Sequence, residues 1–305
     1  MNNHHPLVTI AIPAYKSTFL KEAIESALNQ THRNIELIIV NDCSPEDVDR
    51  VVLSYNDARI KYYKNAKNLG GENPAYNWNK CLSYASGDFF ALLCDDDIYE
   101  STFIEKMLLL AEKYPQTNVF RTRADIIDFS GKRINQFPSA PEWENLYDYM
   151  WHVFKNCRYQ TISEWLFRRE SLIKGNGYAL LPLAWYADYL TVYKYAEKGG
   201  IASSYEFLVH FRQSGSNISS KDDQNTIKKL EASKQYIEEC IKIIKNNLFE
   251  NSDVLYWLLR HHVKNNSRYS LNHAPKLTLC KVLYNRKRYG LSFHMIWKAL
   301  WHKRN

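Results

Sequence analysis

The chain of 305 residues lacks a long hydrophobic run. Its apolar stretches fall far short of the roughly 18 residues that a membrane-spanning helix requires. The N-terminus also lacks a basic region followed by a long apolar stretch and a small-residue cleavage site, and it passes directly into a strand-like segment at residues 7–12. We therefore expect neither a membrane span nor a signal peptide.

Cysteine pairs with metal-binding spacing are missing as well. The six cysteines, at positions 43, 81, 94, 157, 240 and 280, form no Cys-x-x-Cys pair. This spacing argues against a zinc ribbon and gives no sign of a disulfide scaffold. We interpret the cysteines as reduced thiols of a cytoplasmic protein.

Acidic residues are missing from residue 276 onward, a segment that holds eight of the 40 lysines and arginines. The first 275 residues carry the other 32 basic residues against 33 acidic ones, so the net charge of +7 belongs to the C-terminal tail. Hydrophobic residues (45%) and charged residues (24%) occur in the proportions of an ordinary globular protein. No recognised nucleic-acid-binding motif accompanies the basic tail, so we expect no nucleic-acid partner.

Strand-like and helix-like segments alternate through the first hundred residues. The apolar, β-rich segments are 7–12, 35–40, 60–64 and 89–94, and the segments with helical spacing are 17–30, 45–55 and 73–84. This alternation predicts an α/β fold with a Rossmann-like, mostly parallel doubly wound sheet and helices on both faces. From about residue 227 the pattern is helical, so we place a boundary near 225 and expect a basic helical extension at 226–305.

Three consecutive aspartates, Asp95, Asp96 and Asp97, follow the apolar segment 89–94. Ligands of open α/β sheets gather at the carboxyl ends of strands. A Mg²⁺ or Mn²⁺ ion relieves the repulsion between adjacent carboxylates and leaves coordination positions for phosphate oxygens. The cluster therefore predicts a metal site for a diphosphate. The alternative is a solvated acidic turn before the helix that begins near residue 101.

Several short motifs follow one another along the chain. They are Ile-Pro-Ala-Tyr (12–15), Glu-Ser-Ala-Leu-Asn-Gln-Thr (25–31), Ile-Ile-Val-Asn-Asp-Cys-Ser (38–44), Asn-Leu-Gly (68–70), Ala-Ser-Gly-Asp (85–88), the aspartates, Trp-Leu-Phe-Arg-Arg (165–169) and Ala-Asp (187–188). In this order they resemble family-2 glycosyltransferases with the GT-A fold, over roughly residues 7–220. The resemblance implies a catalytic domain at 1–225, with a nucleotide-sugar-binding half at about 7–100 and an acceptor half at about 101–225.

The resemblance implies a nucleotide site at the ends of the first two strands. The residues there are Pro13, Ala14, Tyr15 and Asp42, and Asn73 and Asn79 are expected to line the same cleft. A tyrosine ring can stack on a base, and a carboxylate can accept the N3–H of uracil, so a UDP-sugar is the expected donor. The alternatives are a packed aromatic for Tyr15, a turn residue for Asp42, and capping or exposed helix positions for the asparagines.

The family pattern Asp-x-Asp-Asp has Cys94 at its first position in this chain. By the resemblance, Asp96 is the principal ligand of Mn²⁺ or Mg²⁺, Asp97 supports it, and Asp95 contacts the ribose or acts through water. The departure at Cys94 leaves open how the three acids share these roles. The cation would stabilise the charge that develops on the leaving nucleoside diphosphate.

Asp188 stands at the family's catalytic-base position, at the start of a predicted helix. An acceptor hydroxyl needs a general base as it attacks, and attack from the face opposite the diphosphate inverts the anomeric centre. Trp185 and Tyr186 are predicted to form an aromatic platform for an acceptor sugar. The alternatives are a helix-terminal acid for Asp188 and core packing for the two aromatics.

The segment after the last strand of the catalytic domain departs from the family pattern, which places a histidine close after an arginine. Here Arg212 is followed by Ser214. We predict that Arg212 pairs with the diphosphate and that residues 214–220 form a flap over the donor. His210 is a candidate metal ligand, although a lone histidine in a strand is more often structural.

The C-terminal segment 291–304 mixes bulky apolar and aromatic residues with cations. This composition suits a helix on an anionic membrane surface, which predicts a peripheral position at the inner face of the cell membrane. The alternatives are packing on the catalytic domain, with a solvated basic face, and dimerisation.

These observations predict an inverting, metal-dependent glycosyltransferase that moves one sugar from a nucleotide donor to a hydroxyl of a glycan or lipid-linked acceptor, in bacterial surface polysaccharide assembly. Processive synthases are disfavoured because membrane helices and a Gln-x-x-Arg-Trp signature are missing. A nucleotidyltransferase would need a glycine-rich basic loop, which residues 12–16 do not provide. A catalytically impaired sugar-nucleotide-binding or scaffold subunit is a further alternative, because of Cys94 and Ser214.

Overall fold

Four parallel strands form the first half of the sheet in this computed structural model, which describes residues 5–213 and 225–302. They lie in the order β3-β2-β1-β4, where β1 is Val8–Ala14, β2 is Ile35–Asn41, β3 is Ile60–Lys64 and β4 is Phe89–Leu92. The connecting helices are α1 (Leu20–Leu28), α2 (Val48–Leu53) and α3 (Pro74–Tyr84). β2 is buried along its whole length, as expected of an interior parallel strand with helices on both faces.

The second half of the sheet is mixed. Its strands are β5 (Ile98–Tyr99), β6 (Val119–Ile127), β7 (Arg133–Gln136), β8 (Trp143–Glu144), β9 (Trp165–Arg168) and β10 (Ile201–Arg212). β9 pairs antiparallel with β4 and β6, whereas β10 pairs parallel with β6 and antiparallel with β5 and β8. The prediction of a mostly parallel sheet therefore holds for the first four strands. A short turn, such as the one from β6 to β7, can join only antiparallel neighbours.

Alternate side chains of the strands enter two separate cores, one on each face of the sheet. Ile38 and Val40 lie in the core that α3 covers together with α5 (Leu146–Phe154) and α7 (Ala187–Ala196). Leu37 and Ile39 lie in the core that α1 and α2 cover together with α4 (Phe103–Lys113). This alternation follows from the period of two along a strand. The predicted α/β fold with helices on both faces is confirmed.

Four further helices make up the C-terminal extension, which confirms that part of the fold prediction. They are α8 (Thr226–Asn246), α9 (Ser252–His273), α10 (Lys276–Tyr284) and α11 (Phe293–His302), and a short α6 (Arg169–Lys174) precedes α7. Tyr236 of α8 and Leu259 of α9 share the core of α5 and α7, whereas α10 and α11 form a smaller core with Leu230 and Leu271. In the described part of the chain, no helix has both the length and the apolar character to span a membrane.

Candidate active site

The carboxyl ends of three neighbouring strands bring the predicted nucleotide and metal residues together. β1 ends before Tyr15, β2 ends before Asp42, and the aspartates follow β4. Because β1 pairs in parallel with both β2 and β4, these ends meet at one edge of the sheet. The sequence places each residue directly after an apolar strand, so its side chain lies at the rim of the sheet rather than in the core.

The three aspartates are buried and point in different directions. One carboxylate oxygen of Asp95 accepts hydrogen bonds from the backbone N–H groups of Tyr15 and Lys16, both at 2.7 Å. A carboxylate oxygen of Asp96 lies 3.0 Å from the ammonium nitrogen of Lys16. Asp97 accepts from the Ser163 hydroxyl at 2.5 Å and from the backbone N–H of Arg212 at 2.9 Å. Adjacent residues of one type thus have three different tasks.

Burial shifts the acidity of two of these carboxyl groups. Burial, reinforced by the neighbouring charge of Asp96, raises the pKa of Asp95 to about 6. The same two causes raise the pKa of Asp97, against the hydrogen bonds from Ser163 and Arg212. Such shifts are typical of functional sites, where charge is held ready for a ligand.

The donor set fits a divalent cation that is held jointly with a substrate. Among the described residues, no group of three or more His, Cys, Asp or Glu side chains is arranged to hold a metal. Asp95 and Asp97 accept hydrogen bonds from backbone and hydroxyl groups, whereas Asp96 contacts the Lys16 ammonium, so Asp96 is the carboxylate that could coordinate if that side chain moved. Mg²⁺ is commonly held by one or two carboxylates together with substrate phosphates and water, so Asp96 and a diphosphate suit it.

Cys94 does not replace the missing first acid. Burial raises the pKa of its thiol well above the usual value, and the three aspartates add to the effect. A protonated thiol is a poor metal ligand. The backbone N–H of Cys94 donates to the Ser163 hydroxyl oxygen at 3.1 Å, so Ser163 ties both ends of the aspartate turn to one position.

Asp42 holds a neighbouring loop in the predicted nucleotide site. Its carboxylate accepts from Asn65 Nδ2 at 2.8 Å and from the backbone N–H groups of Leu69 and Gly70 at 2.9 and 2.6 Å. A Cβ atom at Gly70 would lie 2.8 Å from this carboxylate, so the close approach requires glycine. The turn role that was the alternative for Asp42 is therefore present. Its predicted contact with a base stays a prediction.

The first strand ends in a partly open aromatic side chain. Tyr15 is 39% exposed, so its ring is available for stacking on a base. Ala14 is buried, and its carbonyl accepts from the backbone N–H of Asp42 at 2.9 Å. Pro13 is half-buried beside it. The structure thus brings Pro13, Ala14, Tyr15 and Asp42 together at one edge.

Asn73 and Asn79 connect α3 to the loop that leads to Asp188. Asn73 caps α3, with its side-chain oxygen accepting from Ala75 N at 3.0 Å, and its Nδ2 donates to the Leu181 carbonyl at 2.9 Å. Asn79 makes two hydrogen bonds with the backbone of Tyr178, at 2.8 and 3.1 Å. The capping alternative is confirmed for Asn73. Both side chains are engaged by the protein, and their nucleotide contacts stay predictions.

Asp188 lies in the first turn of α7, after a segment of left-handed backbone. Leu183, Ala184 and Tyr186 have φ values of 60°, 53° and 66°. Residues other than glycine adopt this region at a cost of order 1–3 kcal/mol each, and such strain clusters at functional sites. The surrounding contacts therefore hold Asp188 in a position that the local sequence does not favour.

A buried polar cluster surrounds Asp188. Burial raises the pKa of Asp188 to about 6, and the nearby Gln160 side chain opposes this shift. The Tyr149 hydroxyl donates to the side-chain oxygen of Gln160. Arg121 and Glu164 form a buried ion pair at 2.5 Å, and burial raises the pKa of Glu164 to about 7. Asp188 thus lies near a second buried carboxyl group, that of Glu164. Burial raises the pKa of Glu164, and the Arg121 cation opposes this shift.

The two residues predicted for the acceptor lie in different surroundings. Trp185 is half-buried, and the Lys229 ammonium lies 4.5 Å from the centroid of a Trp185 ring. The Tyr186 ring is 7% exposed and stacks on Tyr236 of α8 at a centroid distance of 4.4 Å, while Asn266 donates to its hydroxyl at 2.8 Å. The packing alternative is therefore present for Tyr186, and its acceptor contact stays a prediction.

The side chains of His210 and Arg212 are engaged by partners other than the carboxylates of Asp95, Asp96 and Asp97. The ring nitrogens of His210 lie 2.6 Å from Asp125 and 2.9 Å from Glu100, and the hydrogen bond that His210 donates to Asp125 raises the pKa of the imidazole. Arg212 is 1% exposed, donates to the Asp96 carbonyl at 3.0 Å and pairs with Glu22 at 2.7 Å. Their ligand roles stay predictions, and Ser214 and the predicted flap at 214–220 lie outside the described residues.

Sequence reasoning missed several residues that complete the site. They are Lys16, Gln160, Ser163, Glu164 and Arg121. Lys16 follows the first strand directly, so its position could have indicated a role at the same edge. The other four come from distant segments, and no spacing along the chain connects them to the aspartates or to Asp188.

The sequence model of Glycosyl transferase family 2 matches residues 9–175, more than half of the chain. The matched part contains the first strand from its second residue onward, Asp42, the aspartates and Ser163. Asp188 lies beyond its end.

Curated relatives match shorter parts of the chain. An uncharacterised glycosyltransferase of Rickettsia typhi is 37% identical over 119 residues, which are 39% of this chain and 36% of that protein. TuaG of Bacillus subtilis, provisionally named a teichuronic acid biosynthesis glycosyltransferase, is 30% identical over 145 residues, which are 47% of this chain and 56% of that protein. These matches thus span about a third of the Rickettsia protein and about half of TuaG.

A solved structure of S. aureus TarS 1–349 in complex with UDP-GlcNAc has the same fold. It aligns with a TM-score of 0.68 at 16% identity and covers 86% of this chain and 74% of that one. At this identity the likeness shows the fold alone.

Proposed function

Because the chain belongs to glycosyl transferase family 2, we propose that it moves a single sugar from a nucleotide-sugar, with a UDP-sugar as the expected donor, to a hydroxyl of a glycan or lipid-linked acceptor. The observation that carries the proposal is the meeting of Tyr15, Asp42 and Asp96 at one edge of the sheet. TarS, which has the same fold, has been solved with UDP-GlcNAc. This supports a nucleotide-sugar donor for the present chain.

The base of the donor is proposed to lie against Tyr15 and Asp42. The Tyr15 ring is open enough to stack, and its backbone is held by Asp95 and by the Ser44 hydroxyl. Asp42 accepts a single hydrogen bond at one of its two carboxylate oxygens, from Gly70, so that oxygen keeps capacity for a donor such as uracil N3–H. Binding of the nucleotide base would therefore require little rearrangement of Tyr15 and Asp42.

Asp188 is proposed to act as the general base for the acceptor hydroxyl. With a pKa of about 6 it is mainly ionised at neutral pH, yet it is a stronger base than an ordinary aspartate. The left-handed segment before α7 and the first turn of that helix set its position. Attack from the side opposite the leaving diphosphate would invert the anomeric centre.

The leaving diphosphate is proposed to lie over Asp96. A bound Mn²⁺ or Mg²⁺ would supply positive charge for the leaving group. Within the chain, Asp96 offers the coordinating carboxylate, Asp97 and Ser163 fix the turn that carries it, and Asp95 fixes the facing loop. Low exposure of the three acids keeps water from screening these charges.

Surface-glycan assembly is the proposed setting, supported by the provisional name of TuaG. We place the protein in the cytoplasm, peripheral to the membrane. Phe293, Trp297 and Trp301 recur at intervals of four residues on α11 and are half-exposed, and Lys281 of α10 and Lys298 of α11 are exposed as well. Aromatic rings with flanking cations suit an anionic lipid surface, where a lipid-linked acceptor would be found.

A second candidate function is a sugar-nucleotide-binding subunit without transfer activity. Two observations favour it: Cys94 cannot act as the first acid, and the three aspartates do not converge on one point. This candidate shares the donor site and differs at Asp188, which would then have no catalytic task. Transfer and donor hydrolysis separate the two candidates.

Calorimetric titration with UDP tests the donor site. With Mn²⁺ present, we expect binding by the wild type that is lost on addition of EDTA and in Asp96→Ala. Glu25→Ala, on the exposed face of α1, is the control variant and should bind as the wild type does. Absence of binding in every condition would contradict the UDP assignment. Binding that is insensitive to EDTA would contradict the proposed part of a divalent cation in UDP binding.

A further inference from the structure

Lys16 places an ammonium group at the carboxylate to which a cation is assigned. Its Nζ atom lies 3.0 Å from Asp96 Oδ2, and its side chain is 28% exposed. We propose that Lys16 is a ligand of the donor diphosphate, which Asp96 holds in place until donor and cation arrive. This inference rests on the proposed function and extends it to a residue that neither the sequence motifs nor the comparisons assign.

The backbone of Lys16 is held at a fixed position. Its own N–H and that of Tyr15 both donate to Asp95 Oδ2 at 2.7 Å. On the following side, Ser17 donates its N–H and its hydroxyl to Glu46 Oε2, at 2.6 and 2.9 Å. Four hydrogen bonds from three consecutive residues therefore leave the side chain as the mobile part of Lys16.

Lys16 and a divalent cation compete for one carboxylate. The ammonium contacts Asp96 Oδ2, one of the two carboxylate oxygens that could coordinate a cation. A cation at Asp96 would repel the ammonium, and a diphosphate beside that cation would attract it. Because the backbone is anchored, the flexible four-carbon side chain can exchange one anion for the other without moving the loop.

The movement of the Lys16 ammonium from Asp96 to the diphosphate has two effects. Before the donor binds, the ammonium offsets the charge of a buried carboxylate, which would otherwise be costly to leave without a partner. After the donor binds, an ammonium with three N–H donors adds a charge-assisted hydrogen bond to a phosphate oxygen. The same residue thus keeps the empty site stable and strengthens the loaded one.

A purely structural role makes a different prediction. If Lys16 only neutralised Asp96, its removal would lower the stability of the fold. The folded fraction of the variant would then bind UDP as tightly as the wild type does. The proposed role instead requires opposite changes: weaker UDP binding in the presence of Mn²⁺, and tighter Mn²⁺ binding in the absence of UDP. No change in folding alone produces this pair of results.

The test uses Lys16→Gln and Lys16→Arg, with Lys21→Gln as the matched control. Lys21 is an exposed lysine on α1 whose contact is the i,i+4 pair with Glu25. UDP affinity is measured by calorimetry with saturating Mn²⁺, and Mn²⁺ affinity without UDP is measured from the electron paramagnetic resonance signal of the free ion. Thermal unfolding verifies that each variant is folded.

We expect Lys16→Gln to weaken UDP binding about ten- to a hundred-fold, the usual range for a hydrogen bond to a charged group. The same variant should bind Mn²⁺ alone several-fold more tightly, and Lys16→Arg should keep most of the UDP affinity. If Lys16→Gln has unchanged UDP affinity, or unchanged Mn²⁺ affinity, the inference is overturned. The proposed function still stands in that case, provided that the wild type binds UDP. A wild type that binds no UDP overturns both. If Lys16→Gln does not fold, a Lys16→Arg protein with wild-type Mn²⁺ affinity but less than a tenth of the UDP affinity would overturn it as well.

Discussion

At the scale of single residues, neighbours of identical chemistry acquire separate tasks from their surroundings. Asp95 binds the backbone of the Tyr15–Lys16 turn, Asp96 faces a lysine ammonium, and Asp97 is tied to Ser163 and to Arg212. Each task depends on which segment approaches each carboxylate. Substitution of one aspartate should therefore affect a different property in each case.

Asp188 gives a prediction about pH. Its pKa is raised to about 6 and a general base must be ionised, so kcat/KM should fall tenfold per unit of pH below that value. Asp188→Asn should lower transfer by about 10²- to 10⁴-fold at pH 7.5. The measurement is a profile of kcat/KM between pH 4.5 and 8 together with UDP affinity of the variant.

The control for this prediction is UDP binding, because Asp188 is not assigned to the donor site. Equal UDP affinity in wild type and Asp188→Asn would assign the loss to catalysis. A profile without an acidic limb near pH 6, or full transfer by the variant, would contradict the role of Asp188 as base.

At the scale of elements, the loop from Gly177 to Tyr186 links α3 to the start of α7. Asn79 and Asn73 of the α3 region hold its backbone at Tyr178 and Leu181. The loop then reaches Asp188 through a left-handed segment. The position of the predicted base thus depends on contacts with a helix about a hundred residues earlier in the sequence.

Gly177→Ala tests this dependence. Gly177 has a φ of 73°, and a Cβ atom there would lie 2.2 Å from Asn79 Oδ1. We expect a loss of about 2–3 kcal/mol in the free energy of unfolding and at least a tenfold loss of transfer, because the loop must shift. Urea unfolding and a transfer assay are the measurements.

Gly131→Ala is the matched control for that substitution. Gly131 also has positive φ, at 83°, but open space surrounds the position of its Cβ. It should lose only about 1 kcal/mol, the cost of the backbone conformation, with transfer unchanged. Equal losses in the two variants would show that the Asn79 contact contributes nothing.

At the scale of the whole molecule, the C-terminal helices divide into two groups. α8 and α9 complete the core over α5 and α7, and the stacked pair of Tyr186 and Tyr236 connects them to the residues beside Asp188. α10 and α11 form a separate, smaller core. The first group therefore supports the candidate site, whereas the second leaves aromatic side chains exposed.

The exposed aromatics of α11 lead to a prediction about membranes. We expect the protein to sediment with vesicles that contain phosphatidylglycerol, more weakly with pure phosphatidylcholine, and less at high salt, because cations and aromatic rings act together. The double variant Trp297→Ser, Trp301→Ser should lose most of this binding. Trp257→Ser, at an exposed tryptophan of α9, is the control.

The competing prediction is dimerisation through the same surface. Sedimentation equilibrium without vesicles would then show a dimer that the double variant converts to a monomer. A wild type that is monomeric and binds none of the vesicles would contradict both the membrane proposal and dimerisation.

The sequence alone determined the order of strands and helices in the first hundred residues, the presence of the aspartates at a strand end, and the family. These depend on local patterns: apolar runs of strand length, helical spacing, and motifs that follow one another within a few residues. For the same reason Tyr15, Asp42 and Asp96 could be assigned to one edge of the sheet before any contact was known.

The tertiary structure alone decided how those residues are used. The directions of the three aspartates, the lysine beside Asp96, the buried Arg121–Glu164 pair near Asp188 and the burial of Tyr186 all arise from segments far apart in the chain. The physical reason is that hydrogen bonds and desolvation depend on distances in space, which local sequence patterns do not contain. The sequence therefore placed the site, and packing set its chemistry.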